Sequence, residues 1–321
     1  MARAPSARAK RRWTPLVAIV GPTASGKSDL AMALARTLPL EILVADSRQV
    51  YRGMDIGTAK PDPADRAAVP HHLLDLVDPD EPFTVAQWVD AARRLLPEVA
   101  ARGRLPTVVG GTGLYVTSLL DGHDYAAQPW SPELRAHLAA ELEAEGLAPL
   151  AARLAERDPL AASRTDLRNP RRVLRALERA ELGGVGGAAT PRADPWPGRV
   201  AMLGISRPRE VLYRRIDERA SALFATGLLD EVRALLAAGF GPDLPPMTGH
   251  GYREAAGVLA GEWTKEEAIA VTARRTRQYA KRQLGWFRRD PRIVWLAAAD
   301  RPADDPALAA EARDLVERLL A

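Results

Sequence analysis

The sequence predicts an α/β fold: a mostly parallel sheet with helices on both faces, interrupted by a helical insertion domain. Three observations predict it. Short apolar, β-branched runs recur with helical patterns between them, which implies crossover connections. Strand signals stop between Gly122 and about Gly198, where only helical periodicity continues. The first apolar run feeds a Gly-rich loop that opens a helix, the strand, loop and helix order of a P-loop NTPase-like core.

In chain order, the predicted strands are "LVAIV" (16–20), "EILVA" (41–45), "PTVVG" (106–110), "RVAMLGI" (199–205) and "RIVWL" (292–296), each bounded by turn or charge signals. The stretch beginning "SPELRAHLAAELEAEGLAPLAARLAER" predicts two or three amphipathic helices, closed by "GGVGGAATPRADPWPG", whose Gly and Pro content predicts a hinge or disordered link. Residues 209–239, 264–289 and 303–320 are again helical in pattern. The expected organisation is a basic disordered tail (1–12), the first part of the core (13–121), the insertion (122–198) and the completion of the core (199–321).

Composition narrows the function. The 321 residues, 47% hydrophobic, suffice for a real interior, and no run approaches the eighteen or so apolar residues of a membrane helix. The start, "MARAPSARAKRRW", lacks the apolar run of a signal peptide, so the cytoplasm is expected. There is no Cys, and the five His show no ligand spacing, so a metal would be held by oxygen. The net charge of +4 is set by Arg3, Arg8, Lys10, Arg11 and Arg12; without them the balance is about −1. Local clustering is the informative signal: residues 272–289 carry seven Arg or Lys and no acid.

Gly21, Pro22, Thr23, Ala24, Ser25, Gly26, Lys27 and Ser28 fit G-x-x-x-x-G-K-[ST], the motif of nucleotide-binding loops. Its glycines let successive N–H groups and the helix N-terminus point at an anion, Lys27 adds a point charge, and the Ser28 hydroxyl is a candidate Mg²⁺ ligand. The pattern establishes a phosphate site and leaves the reaction open. Asp46 falls at the C-terminal end of the second strand, where parallel sheets place their ligands. It reads as a metal ligand, a general base, or merely an N-cap. Ser47, Arg48 and Gln49 follow it, and Gln49 offers the donor and acceptor pair that grips a base edge. At the end of the third predicted strand, Gly110 to Gly113 allow close backbone approach and point the Thr112 hydroxyl toward the same crevice.

The motifs "GPTASGKS", "DSRQVYRGMDIGTAKP", "HHLLDLVDP", "GGTGLY", "GYREA" and "YAKRQLGWFR", in this order over about residues 16–296, resemble those of the bacterial tRNA dimethylallyltransferases. The resemblance implies that the loop binds the diphosphate of dimethylallyl diphosphate, with Mg²⁺, and that the prenyl group goes to N6 of the adenosine adjacent to the anticodon, tRNA position 37. It implies catalytic roles for Asp46 as base, Thr112 and Arg219, with Thr23 and Arg219 at the diphosphate. Taken alone, Arg219 reads as a surface helix charge. tRNA contacts are implied for Asp46 to Gln49, Thr112, Arg135, the segment Arg171, Arg172, Val173, Leu174 and Arg175, the segment Gly251, Tyr252 and Arg253, and the segment Lys281, Arg282, Gln283, Leu284, Gly285, Trp286, Phe287 and Arg288. A monomer is expected, with the tRNA anticodon stem-loop as partner. The stretch "MTGHGYRE" departs from the family before Gly251, which puts Thr248 and His250 in doubt as RNA contacts, and the zinc-finger extension of eukaryotic members is missing.

The residues alone also support part of this. On a helix, Arg274, Arg277, Lys281 and Arg288 would share one face and follow phosphates, with Tyr279, Trp286 and Phe287 as planar surfaces. A solvated basic face is the plainer alternative. Three rivals remain at this level: a small-molecule kinase, an adenylate prenyltransferase, and a non-catalytic RNA-binding module.

Overall fold

Six short strands build one parallel sheet in the order β3-β2-β4-β1-β5-β6. They are β1 (Leu16–Val20), β2 (Leu40–Val44), β3 (His71–His72), β4 (Leu105–Gly110), β5 (Val200–Ser206) and β6 (Ile293–Ala297). The computed structural model describes residues 14–123, 131–183, 195–302 and 304–321. The expected tail and most of the Gly/Pro link lie outside them. The helices are α1 (Lys27–Ala35), α2 (Pro63–Ala68), α3 (Val85–Ala101), α4 (Gly113–Asp121), α5 (Pro132–Glu145), α6 (Leu147–Arg157), α7 (Pro159–Arg164), α8 (Pro170–Glu181), α9 (Arg209–Ala225), α10 (Leu228–Ala237), α11 (Tyr252–Leu259), α12 (Lys265–Phe287) and α13 (Pro306–Leu320).

The strands read as continuous apolar runs because both faces of the sheet are covered. Val17, Ile19, Ile42, Val109 and Leu203 pack with Leu30 and Leu34 of α1 and with Leu308, Ala312 and Val316 of α13. The alternating residues Leu16, Ala18, Leu43 and Val108 are equally buried. α3 packs against β4, its indole Trp88 donating to the Val44 carbonyl at 3.0 Å and stacking on Tyr115 at 4.8 Å. Capping boxes fix the starts of α3, by Thr84 and Gln87, and of α12, by Thr264 and Glu267.

The chain divides into two compact units, one comprising Met1–Leu119 with Pro197–Ala321, the other Leu120–Trp196. The second holds α5 to α8: residues 131–164 form three helices, within the two or three expected and parted at Gly146 and at the Asp158-Pro159 pair, and α8 follows them. It has its own core of Leu138, Leu150, Leu154, Val173 and Leu177.

Candidate active site

The anion loop joins β1 to α1. Gly26 caps α1 at φ 95° without any side-chain bond, so the first N–H groups of the helix keep their donors free of an intrahelical partner. Ala24 is held at φ 61°, a conformation that an L side chain adopts only when its surroundings enforce it. Three cations provide that enforcement. Lys27 Nζ donates to the Pro22 carbonyl at 2.7 Å, Arg215 Nε to Ala24 at 3.0 Å and Arg207 Nε to Ser25 at 2.8 Å. With those carbonyls neutralised, the loop presents donors and positive charge to an incoming anion. The buried Ser25 hydroxyl has no partner among the described residues.

The charges around the loop are balanced for a further anion. Burial pulls the Lys27 ammonium down to about 8; Asp46 works against that fall and Arg219 with it. Burial likewise lowers Arg219, opposed by Asp46 and Asp29. Lys27 thus feels Arg219, and both desolvated cations feel the same carboxylate, an arrangement in which added negative charge would favour the charged forms.

Asp46 stands just beyond the end of β2, half-buried, with Oδ1 accepting from the Arg48 N–H at 2.9 Å in a local turn. Across from it, Thr112 Oγ1 accepts from the Ser47 N–H at 3.0 Å, and the Thr112 N–H donates to the Ala45 carbonyl at 3.1 Å. The loops after β2 and β4 are thereby joined beside Asp46. Tyr279 of α12 belongs to the same cluster. Burial pushes its phenol up to about 12, Asp46 adds to the rise, and Arg48, Arg282 and the Thr112 hydroxyl oppose it. The ring lies 5.6 Å from His250 and 5.7 Å from the Arg282 guanidinium. His250 is pulled down to about 4 by burial and by Arg275, so it is neutral at physiological pH.

Several residues expected at RNA have internal duties. Gln49 Nε2 donates to the Thr58 and Ala59 carbonyls at 2.9 and 3.1 Å, closing the loop before α2, so the donor half of the expected base grip is taken. Arg48 Nη1 donates to the Pro245 carbonyl at 2.5 Å. Tyr252 is buried and donates to Glu231 at 2.6 Å, while that carboxylate also collects the N–H groups of Asp55, Ile56 and Gly57. The Gly251 N–H is capped by buried Glu254, itself paired with Arg275. On α12, Arg274, Lys281, Arg282, Gly285, Trp286 and Arg288 are exposed, Leu284 is half-buried, and Gln283 and Phe287 are buried. Arg277 leaves the expected stripe, because it pairs with Asp217 of α9. Of the segment 251–253, Arg253 alone is exposed.

Within the helical unit, Arg171 and Arg172 are exposed at the start of α8. Val173 fills the core, with Leu174 packed at its edge. Arg135 and Arg175 converge on Glu178 at 2.9 and 2.7 Å. Burial works to raise Glu178, but the bonds from these two arginines win and hold it below the usual carboxylate range.

Arg207 and Arg215, the cations that hold the loop carbonyls, were not singled out by sequence reasoning. A signal was present: "RPREVLYRR" follows β5 directly, and the C-terminal end of β5 borders the loop. Among the described residues, no group of three or more His, Asp or Glu is arranged to hold a metal, and no helix is long and apolar enough to cross a membrane.

Residues 49–290 match a family model described as IPP transferase, and residues 14–75 match one described as isopentenyl transferase. The chain is 48% identical over 304 residues to a tRNA dimethylallyltransferase of Roseiflexus castenholzii, spanning 95% of this chain and 98% of the relative. It is 46% identical over 283 residues to one of Heliobacterium modesticaldum, spanning 87% and 88%. Among solved structures it resembles the tRNA isopentenylpyrophosphate transferase of Bacillus halodurans, with TM-score 0.70, 39% identity and coverage of 95% and 97%. A eukaryotic dimethylallyltransferase acting on tRNA gives TM-score 0.76 at 25% identity, covering 95% of this chain and 80% of that one. With a family model matching most of its length and relatives spanning nearly all of it, the chain belongs to the IPP transferase family, the tRNA dimethylallyltransferases.

Proposed function

We propose that the protein transfers a dimethylallyl group from dimethylallyl diphosphate to N6 of the adenosine adjacent to the anticodon of tRNA (position 37), releasing diphosphate. The observation that carries this reading is the anion loop with Lys27 and Arg219 desolvated beside it under the field of Asp46. The loop and its cations receive the diphosphate, and their charge stabilises it as the allylic C–O bond breaks. The N6 amine forms the new C–N bond. Its lone pair is delocalised into the purine, so removing its proton helps, and Asp46 takes that proton as general base. Thr112 steadies the turn that carries Asp46 through the Ser47 N–H. The exposed cations of α12 and Arg171 and Arg172 of α8 contact tRNA phosphates.

A divalent ion fits this site through oxygen: the Ser28 hydroxyl opens α1, no thiol is available, and the diphosphate brings most of the ligands. Bound there, Mg²⁺ would supply further neutralisation of the leaving group. With tRNA as substrate the enzyme works in the cytoplasm. The reading is of a monomer.

The test offers purified protein, Mg²⁺ and labelled dimethylallyl diphosphate with unmodified tRNA, with AMP, or with neither. Label is expected in tRNA alone. Asp46→Asn should lower the transfer rate by about 10²–10⁴-fold, with tRNA affinity kept. Label in AMP, or ATP hydrolysis without prenyl transfer, would overturn the assignment.

A further inference from the structure

Gln283 is a buried polar residue of α12, only 6% exposed, in a turn whose neighbours Lys281 and Arg282 face solvent. Its amide is used at both ends and across long sequence separations. Oε1 accepts from the Thr23 N–H of the anion loop at 2.8 Å, and Nε2 donates to the Gly111 carbonyl, after β4, at 2.8 Å. The amide orientation is fixed by the partners, since an N–H needs the oxygen and a carbonyl needs the nitrogen. Contact is close as well: a Cβ at Gly111 would lie 2.2 Å from Nε2. β1 and β4 are neighbours, with Val20 in register with Gly110, so the amide spans the gap just beyond two adjacent strand ends.

The two ends of this bridge lead to the two halves of the reaction. Thr23 sits between Pro22, bonded to Lys27, and Ala24, bonded to Arg215, and so belongs to the part that holds the leaving group. Gly111 precedes Thr112, whose hydroxyl holds Ser47 next to Asp46. We infer that Gln283 is a positioning residue that sets the spacing between the leaving-group loop and the base-bearing turn, rather than an RNA contact. The inference rests on the proposed prenyl transfer. Physically, a shift of about 1 Å between reacting groups is enough to cost on the order of 10²-fold in rate without loosening either substrate.

Gln283→Met keeps length and apolar bulk but neither bond, whereas Gly111→Ala breaks the bridge from the far side, its methyl displacing the Gln283 amide while the α12 sequence is unchanged. Both should lower the single-turnover rate at saturating substrates by about 10–100-fold. The tRNA dissociation constant by filter binding should stay within about threefold, and the double variant should be no slower than the worse single one. Amide hydrogen exchange in the peptide containing Thr23 should quicken in Gln283→Met, a readout independent of catalysis. A tRNA affinity weakened tenfold or more with the saturated rate intact would make Gln283 an RNA contact and overturn the inference, as would unchanged exchange at Thr23. A wild-type protein that never labels tRNA would sink the proposed transfer instead, while the exchange result still decides whether the clamp exists.

Discussion

Lys27 carries the sharpest consequence at the level of single residues. Its ammonium is depressed to about 8 by burial, and a diphosphate favours the charged form. Below pH 8 the cation is already present, so affinity for the anion is insensitive to this group. Above it, binding must bring a proton back, and affinity should fall by up to about tenfold per pH unit. Titration calorimetry with inorganic diphosphate between pH 7 and 9.5 should find that slope in wild type and not in Lys27→Arg, whose guanidinium stays charged. Equal slopes in the two proteins would mean that some other group titrates. The loop itself was legible in the sequence because residues 21–28 act locally, in one strand, turn and helix start. Arg207 and Arg215 were not, since each reaches the loop from more than 180 residues away. The bonds of Gln49 Nε2 are illegible for a related reason: the carbonyls of Thr58 and Ala59 come to it only once the intervening loop has closed.

Among the elements, α12 is the one whose faces divide the labour. Its start, set by the Thr264 and Glu267 box, places Ala280, Gln283 and Phe287 inward and Arg274, Lys281 and Arg288 outward at intervals of seven. Changing these three cations to Gln should weaken tRNA binding and reduce the slope of log K against log salt by roughly 2–3, at about 0.7–0.9 per phosphate contact. Filter binding over a salt series measures it; a slope equal to that of wild type would show that the outward face is not the RNA surface. Composition identified this helix but could not separate its faces, because Arg277 is drawn off by Asp217 of another helix. Other elements were blurred in the same way. Residues 209–239 form two helices, parted where Gly227 takes φ 113°. The edge strand His71–His72 pairs with β2 over only two residues, too few to leave a periodic signal.

At the scale of the molecule, the two compact units hold separate cores, so a packing defect in one should stay there. Leu177 is fully buried among Leu138, Leu150, Leu154 and Val173. Leu177→Ala should cost about 2–5 kcal/mol of local stability. Hydrogen exchange should quicken within 131–183 while β1, β4 and β5 keep their protection. Loss of protection across the sheet to the same degree would mean that the units unfold together.

Alternating strands and helices, the helical interruption, the phosphate loop and the position of Asp46 at a strand end all follow from patterns within a few residues, which is why they were decided by the chain alone. Which polar side chains face a substrate was decided by the folded structure, because hydrogen-bond capacity is finite. Once Gln283 bridges Thr23 to Gly111, and Tyr252 joins Glu231, those groups are committed to the scaffold, whatever their residue type suggests.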